Sequence, residues 1–112
     1  NIFAIKVVGS IDTATSAEVE RALDKLFSNR YYKVIVDLGN VDYISSAGWG
    51  IFINHIKEIR EGGGDLKLAN MKSDVSEIFD LLEFHHILRA YGTIEEAIKD
   101  FDLSSDKRAF AT

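Results

Sequence analysis

Cysteine is absent from this chain of 112 residues, and basic residues are fewer than acidic ones. Without cysteine the chain has no disulfide framework and no thiolate metal site. This fits a reducing compartment, so we expect the protein to be cytoplasmic. The 13 lysine and arginine residues, against 18 aspartate and glutamate residues, give a net charge of −5. Because nucleic-acid binding needs a basic face to neutralise phosphates, we expect no direct contact with nucleic acid.

Long apolar runs are also missing from the sequence. No stretch reaches membrane-spanning length and no signal-peptide pattern is present, so we expect a soluble domain without membrane insertion. Hydrophobic residues make up 46% of the chain, and its length suffices for one domain with a real core. The chain begins at Asn1, inside a strand-like segment, so we expect the first residues of the domain to precede it.

Strand-like and helix-like patterns alternate along the chain. Strands are predicted at residues 2–8, 34–36, 66–69 and 87–88, with Lys67 pointing outward from the third. The alternation predicts an α/β domain with a largely parallel central sheet of roughly four to five strands and about four helices. We place the domain at residues 1–102 and interpret residues 103–112, which lack a clear periodicity, as a carboxy-terminal tail.

Four segments carry helical patterns. The first, residues 15–29, has Thr15 and Glu18 at the spacing of a capping box, and the last has Thr93 and Glu96 at the same spacing. The second runs from about Ala47 to Glu61 and ends at three consecutive glycines. The third runs from a cap at Ser73 to about Glu83. Apolar residues at helical spacing predict the buried faces of the second and third helices: Phe52, Ile56 and Ile59, then Val75, Ile78, Phe79 and Leu82.

The most informative stretch runs from Tyr43 to Ile51, where a strand turns into a helix. Ser45 and Ser46 place two hydroxyls at this turn, and Gly48 and Gly50 permit close backbone approach at the start of the helix. Free backbone N–H groups at a helix start favour an anion. The turn is therefore suited to carry a phosphate on serine, although nucleotide or small-ligand binding and a purely structural turn are alternatives.

Catalysis and cofactor binding find little support in the sequence. Around Ser46 the glycine-x-serine-x-glycine pattern of a hydrolase is not met, since Ile44 stands two residues before it. The glycines at positions 62–64 end a helix instead of opening one, and no dinucleotide fingerprint is present. His55, His85 and His86 have no acidic or cysteine partner at ligand spacing. We expect no enzyme activity, no catalytic residues, no metal and no cofactor.

Two further side chains have both a structural and a functional interpretation. Asp12 follows the first strand, where it can form a local backbone hydrogen bond or place an acidic group near the Ser46 turn. Trp49 is a core aromatic or, because other residues already form the buried stripe, an exposed anchor for a partner. The sequence leaves both choices open.

Several segments together resemble the STAS domain of bacterial anti-sigma factor antagonists. They are Gly9 to Asp12 before a capped helix, Val34 to Leu38, Val41 to Gly48, Gly63 to Leu68, and the Thr93 helix with Glu96 and Ala97. The resemblance covers nearly the whole chain and lacks only the first strand of the family, which would precede Asn1.

The resemblance implies a cytoplasmic, non-enzymatic module of transcription regulation that works by partner switching. In such proteins the unphosphorylated antagonist binds an anti-sigma factor that is also a serine kinase, and so frees a sigma factor. Phosphorylation at the start of a helix releases the antagonist, and a PP2C-type phosphatase reverses the modification.

By motif position the resemblance implies that Ser46 is the phosphorylated residue. Members of the family often have aspartate just before this position, whereas this chain has Ser45, whose hydroxyl makes it a rival acceptor. The expected partner-binding residues are Asp12, Ser45, Ser46, Ala47, Gly48 and Trp49. An alternative is a STAS interaction module without phospho-switching, within a larger transporter, stress-sensing or lipid-transport assembly.

Overall fold

The computed structural model describes the backbone of residues 1–111 and the side chains of residues 1–103. Strands and helices alternate over this part of the chain. The strands are β1 (Ile2–Ile11), β2 (Lys33–Ile44), β3 (Asp65–Ala69) and β4 (Arg89–Tyr91). The helices are α1 (Thr13–Ser28), α2 (Ser46–Glu61), α3 (Ser73–Leu81) and α4 (Ile94–Ala111), with a 3₁₀ turn at Phe84–His86 between α3 and β4.

The strands form one parallel sheet in the order β1-β2-β3-β4. This confirms the predicted α/β class with a parallel central sheet. Strand β3 pairs only with residues 33–37 of β2, whereas β1 pairs with β2 as far as Ile44. The ends of β1 and β2 therefore extend beyond the rest of the sheet, and α2 starts from this extension.

The larger core lies on the face of the sheet covered by α1, α2 and α3. Val34, Val36 and Leu68 of the sheet are buried in it together with Phe52, Ile56 and Ile59 of α2, and the sequence predicted the α2 residues correctly. Burial of aliphatic and aromatic side chains at this scale is the main favourable term in folding. A smaller core on the opposite face joins Ile35 and Ala69 to Ala97 and Phe101 of α4.

Helix α4 explains why the outward position predicted for Lys67 is wrong. The residue is only 2% exposed because α4 covers this face of β3. Its Nζ donates to Asp100 Oδ2 at 2.6 Å and to the Tyr91 hydroxyl at 3.0 Å, and it lies 4.6 Å from the ring centroid of Phe101. Period-two alternation identifies the two faces of a strand but not whether the second face is covered.

The ends of several elements differ from the sequence-based expectations. Helix α1 begins at Thr13 with Asp12 as its N-cap, and the capping box joins Asp12 to Thr15 instead of Thr15 to Glu18. Helix α3 has Lys72 at the cap position with no side-chain hydrogen bond, so Ser73 is its first residue and not its cap. The last strand forms two residues later than predicted, while Leu88 is buried before it.

The carboxy-terminal boundary also differs. The backbone continues as helix α4 through Ala111, where the sequence predicted a tail from Leu103. The cap predicted at Thr93 is present, since its Oγ1 accepts from the Glu96 N–H at 3.1 Å. Thr112 lies outside the described residues, and the division of the chain at residue 102 stays a prediction.

The glycine run after α2 acts as the sequence predicted. Gly62 is the C-cap, and Gly63 has a φ of 88°, which few residues with a side chain adopt. A Cβ on Gly64 would lie 1.9 Å from the Tyr32 carbonyl oxygen. The run therefore ends the helix and lets the chain pass closely over the start of β2.

Candidate functional site

The Ser45–Ser46 turn lies where the long β2 strand passes into α2. Strand β2 ends at Ile44 and helix α2 begins at Ser46. The Ser45 N–H donates to the Ile11 carbonyl at 2.8 Å, which ties the turn to the end of the neighbouring strand β1. The turn is thus held from both strands.

Ser45 is the N-cap of α2. Its backbone is extended, with φ −77° and ψ 172°, and its Oγ accepts from the Gly48 N–H at 3.2 Å. The Trp49 N–H donates to the Ser45 carbonyl at 3.0 Å and closes the first turn of the helix. The Ser45 hydroxyl therefore satisfies one of the free N–H groups at the helix start.

Ser46 is the first residue of the helix, and its side chain is exposed. No hydrogen bond joins its hydroxyl to any other residue among those that the structure describes. Ala47 beside it is also exposed. The two adjacent serines thus differ clearly, since one hydroxyl caps the helix and the other faces outward.

Gly48 allows the helix to approach the sheet. A Cβ at this position would lie 2.8 Å from the Cγ2 atoms of both Ile11 and Ile44, closer than real contacts come. A Cβ at Gly50, by contrast, would have Asn54 Nδ2 as its nearest neighbour, at a distance of 4.0 Å. The close approach predicted for the glycines of this turn therefore belongs to Gly48 and not to Gly50.

Asp12 occupies the corresponding turn after β1. Its Oδ1 accepts from the N–H groups of Ala14 and Thr15, both at 3.0 Å. The hydrogen bond from the Thr15 backbone is the main cause that lowers the pKa of Asp12 below its ordinary value. The local backbone hydrogen bond expected of Asp12 is present, and the residue follows Ile11, to which the Ser45 turn is bound.

Trp49 is buried, so of the two alternatives that the sequence left open the core aromatic is the one observed, and the exposed anchor is not. Only 3% of the residue is exposed. Its ring lies 5.0 Å from that of Phe84, 5.9 Å from Phe79 and 6.4 Å from Phe52, measured between centroids. Its indole Nε1 is buried without a hydrogen-bond partner in the described part of the chain. Trp49 thus supports the turn from beneath, and its unpaired donor is uncommon for a buried group.

An open groove of about 590 Å³ lies beside Ser46, between the end of β2, the start of α2 and helix α3. The residues that line it are Asp42, Tyr43, Ile44, Ser46, Trp49, Asp74, Val75, Glu77, Ile78 and Leu82. The α3 side of this groove was not predicted, because Ile78 and Leu82 have the spacing of a buried helix face. Both are exposed.

The histidines lie away from this groove. His55 Nε2 is 3.2 Å from Glu20 Oε2, and the rings of His85 and His86 are 4.2 Å apart. Among the side chains that the structure describes, no three histidine, aspartate or glutamate residues converge as a metal site would require. No helix within the described residues has the length and apolarity needed to cross a membrane.

The sequence profile of the STAS domain matches residues 1–97. The chain belongs to the STAS domain family. BtrV of Bordetella bronchiseptica, provisionally named an anti-sigma factor antagonist, is 31% identical over 93 residues, which cover 83% of this chain and 80% of BtrV. The anti-sigma-B factor antagonist of Staphylococcus epidermidis is 27% identical over 81 residues, covering 72% of this chain and 75% of the relative.

Solved structures share the fold of this STAS domain. An anti-sigma factor antagonist from Mycobacterium paratuberculosis superposes with a TM-score of 0.79 at 18% identity, covering 88% of this chain and 84% of that one. The unphosphorylated form of the anti-sigma factor antagonist SpoIIAA superposes with a TM-score of 0.66 at 16% identity, covering 87% and 84%. A phosphorylated form of SpoIIAA has also been solved, and it superposes with a TM-score of 0.65.

Proposed function

We propose that this STAS domain is a bacterial, cytoplasmic anti-sigma factor antagonist that acts by partner switching, with Ser46 as its phosphorylated residue. In its unphosphorylated state it binds an anti-sigma factor that is also a serine kinase. Phosphorylation of Ser46 releases the kinase, and a PP2C-type phosphatase restores binding. The names of its relatives and the two solved forms of SpoIIAA support this proposal. In this role the domain is a regulator and catalyses no reaction.

The observation that carries the site assignment is the difference between the two serines. The Ser45 hydroxyl accepts a hydrogen bond from the Gly48 N–H, whereas the Ser46 hydroxyl is exposed. A kinase must reach the hydroxyl and orient it toward the phosphoryl group. Modification of Ser45 would also displace a helix cap, and modification of Ser46 would not. This reasoning favours Ser46 over its rival.

Charge gives the switch its physical basis. A phosphoserine adds about −1.5 to −2 charges at neutral pH. Asp74 and Glu77 line the same groove as Ser46, as does Asp42, which is paired with Lys72. The phosphate would therefore strengthen the negative potential that Asp74 and Glu77 already provide. A partner surface suited to a neutral hydroxyl would then lose affinity, and each 1.4 kcal/mol lost weakens binding about tenfold.

The fold is expected to tolerate the phosphate. The start of α2 has free N–H groups and the positive end of the helix dipole, both of which favour an anion. The turn itself is fixed by the hydrogen bond from Ser45 to Ile11 and by the packing of Gly48.

The proposed contact surface comprises Ser46 and Ala47, which are exposed, together with Asp12 and Ser45, which are half-buried beside them. Gly48 and Trp49 are buried and would serve this surface by holding the turn in place.

A phosphorylation assay with the cognate kinase and ATP tests the assignment. We expect mass spectrometry to find one phosphate on the wild type and none on Ser46→Ala. The matched control is Ser45→Asn, because asparagine keeps a good N-cap but has no hydroxyl. It should be phosphorylated as the wild type is. A phosphate on Ser46→Ala, or its loss from Ser45→Asn alone, would assign the modification to Ser45.

A binding assay tests the switch itself. Ser46→Asp should fold as the wild type does, by circular dichroism, yet bind the kinase more weakly. If Ser46→Asp binds the kinase as tightly as the wild type, the charge mechanism is wrong. If the wild type neither binds the kinase nor becomes phosphorylated, the interaction module without phospho-switching becomes the better account.

A further inference from the structure

Helix α3 exposes apolar side chains next to the Ser46 groove. Ile78 is 43% exposed and Leu81 75% exposed, and Leu82, the C-cap, is exposed beside them. Their spacing of three and four residues places them on one side of the helix. Ile78 and Leu82 line the groove, and across from them Tyr43 is exposed as well. Ile78, Leu81 and Leu82 therefore form an exposed apolar stripe on the surface. A continuous exposed apolar patch is typical of a binding site.

The same helix carries charge of one sign. Asp74, Glu77 and Asp80 are exposed on α3, and Glu83 follows it, whereas residues 73–83 contain no lysine or arginine. The nearest lysine or arginine in the sequence is Lys72, whose Nζ lies 2.6 Å from Asp42 Oδ1 of β2, so it already has a carboxylate partner. The apolar stripe is thus bordered by carboxylates with little compensating charge.

This combination selects among possible occupants. A second copy of the chain in a two-fold contact would bring the same carboxylates against each other, which is unfavourable. A segment with apolar side chains on one face and lysine or arginine at its borders would instead cover the stripe and neutralise the carboxylates.

We propose that the groove between α2 and α3 binds a basic amphipathic segment of a protein partner. The apolar face of the segment packs on Ile78, Leu81 and Leu82, and its basic side chains pair with Asp74 and Glu77. The site stands on the exposure and charge of α3 and does not depend on phosphorylation.

Ser46 gives this site a distinctive response. Because the residue lines the groove, a negative charge there adds to the attraction for a basic segment. Ser46→Asp should therefore strengthen binding in the groove while weakening the proposed complex with the kinase. The two proposals thus predict opposite signs for one variant, and either can fail without the other.

A peptide titration tests the groove. The probe is a synthetic peptide of about 18 residues made of leucine and lysine in an amphipathic helical pattern, with a shuffled peptide of the same composition as control. The single tryptophan of the chain, Trp49, lines the groove and reports occupancy by fluorescence, and calorimetry gives the stoichiometry. We expect saturable one-to-one binding of the patterned peptide that is clearly stronger than binding of the shuffled one.

Matched variants locate the site. Ile78→Asp and Glu77→Lys should each weaken binding about tenfold. Ile98→Asp is the control, because Ile98 is 38% exposed on α4, outside the groove. It should leave binding unchanged. Circular dichroism and thermal unfolding establish that each variant is folded.

Three outcomes would overturn the proposal. The first is equal affinity for the patterned and shuffled peptides. The second is an Ile78→Asp variant that binds as tightly as the wild type, or no more weakly than Ile98→Asp. The third is dimerisation that depends on protein concentration in sedimentation velocity and that Ile78→Asp abolishes. Such a result would show that the apolar stripe binds a second copy of the chain. Tighter binding by Ser46→Asp supports the electrostatic account, and weaker binding contradicts it.

Discussion

Replacement of Lys67 by methionine tests how α4 is held on the sheet. The ammonium group is buried between β3 and α4, where it contacts Asp100 Oδ2 at 2.6 Å and the Tyr91 hydroxyl at 3.0 Å. It also lies over the Phe101 ring, 4.6 Å from its centroid. Methionine keeps much of the apolar stem and removes the charge, so the variant isolates the polar part of the contact.

The expected loss follows from these contacts. A hydrogen bond to a charged group contributes about 1.5–3 kcal/mol, and a cation over an aromatic ring about 0.5–2 kcal/mol. Burial of the lysine charge offsets part of this, and Asp100, whose side chain is 35% exposed, can regain water when its partner is lost. We therefore expect Lys67→Met to lower the free energy of unfolding by about 2–3 kcal/mol. For a domain of this size the melting temperature should fall by about 10 °C.

Urea unfolding followed by circular dichroism measures this change. Lys57→Met is the matched control, because Lys57 is exposed on α2 and its replacement should change stability by no more than about 0.5 kcal/mol. Asp100→Asn, combined with Lys67→Met in a double-mutant cycle, should show a coupling of about 1 kcal/mol or more. A Lys67→Met variant as stable as the control would refute the reasoning and show that the cost of burying the lysine charge cancels its contacts.

Substitutions at three other positions and one pH profile extend the predictions. Gly48→Ala should destabilise the domain by about 1–3 kcal/mol in thermal unfolding, because its Cβ would meet two isoleucine methyl groups at 2.8 Å. Gly50→Ala should be neutral or stabilising by up to about 1 kcal/mol, since the site is open and alanine favours a helix. Ser45→Ala should cost about 1 kcal/mol, and Ser45→Asn should recover most of it in the same assay. Hydrogen bonds from Lys67 and Tyr91 lower the pKa of Asp100, so its contribution is present above about pH 4 and lost as the pH falls through the lowered pKa. Stability measured against pH should therefore fall less steeply in acid for Asp100→Asn than for the wild type.

Local patterns in the sequence predicted much of the fold. The apolar run at Val34–Val36 indicated a strand, and the stripe of Phe52, Ile56 and Ile59 gave the buried side of α2. The three glycines marked the end of that helix. These features are set by residues near one another in the chain, so a short window of sequence contains the information that determines them.

Features that depend on contacts between distant residues were harder to predict. Lys67 alternates as an exposed residue would, yet its burial depends on Asp100 and Tyr91, which lie far along the chain. The cap of α1 shows a different difficulty, because Asp12 and Thr15 are both good N-cap residues in sequence. The extended backbone of β1 continues to Ile11, and this leaves Asp12 as the last residue before the helix.

The packing of α3 decides the environments of Trp49, which the sequence left open, and of Ile78, which it predicted to be buried. Helix α3 is short and ends at Leu81, and the rings of Phe79 and Phe84 fold over Trp49. These rings cover Trp49, whereas Ile78 lies on the exposed side of α3. Helical spacing predicts which residues share a face, but the neighbouring elements decide how much of that face is covered.

The packing beneath Ser46 determines how a phosphate could act. Gly48 fits against Ile11 and Ile44 with no space for a Cβ, and the Ser45 N–H is bound to the Ile11 carbonyl. A rearrangement of the turn would break this packing and the helix cap together. A charge added to Ser46 is thus more readily accommodated where it stands, in a groove already lined by carboxylates. The proposed switch would then act through the potential that an approaching partner meets, since the same rigid surface can repel one partner and attract another of opposite charge.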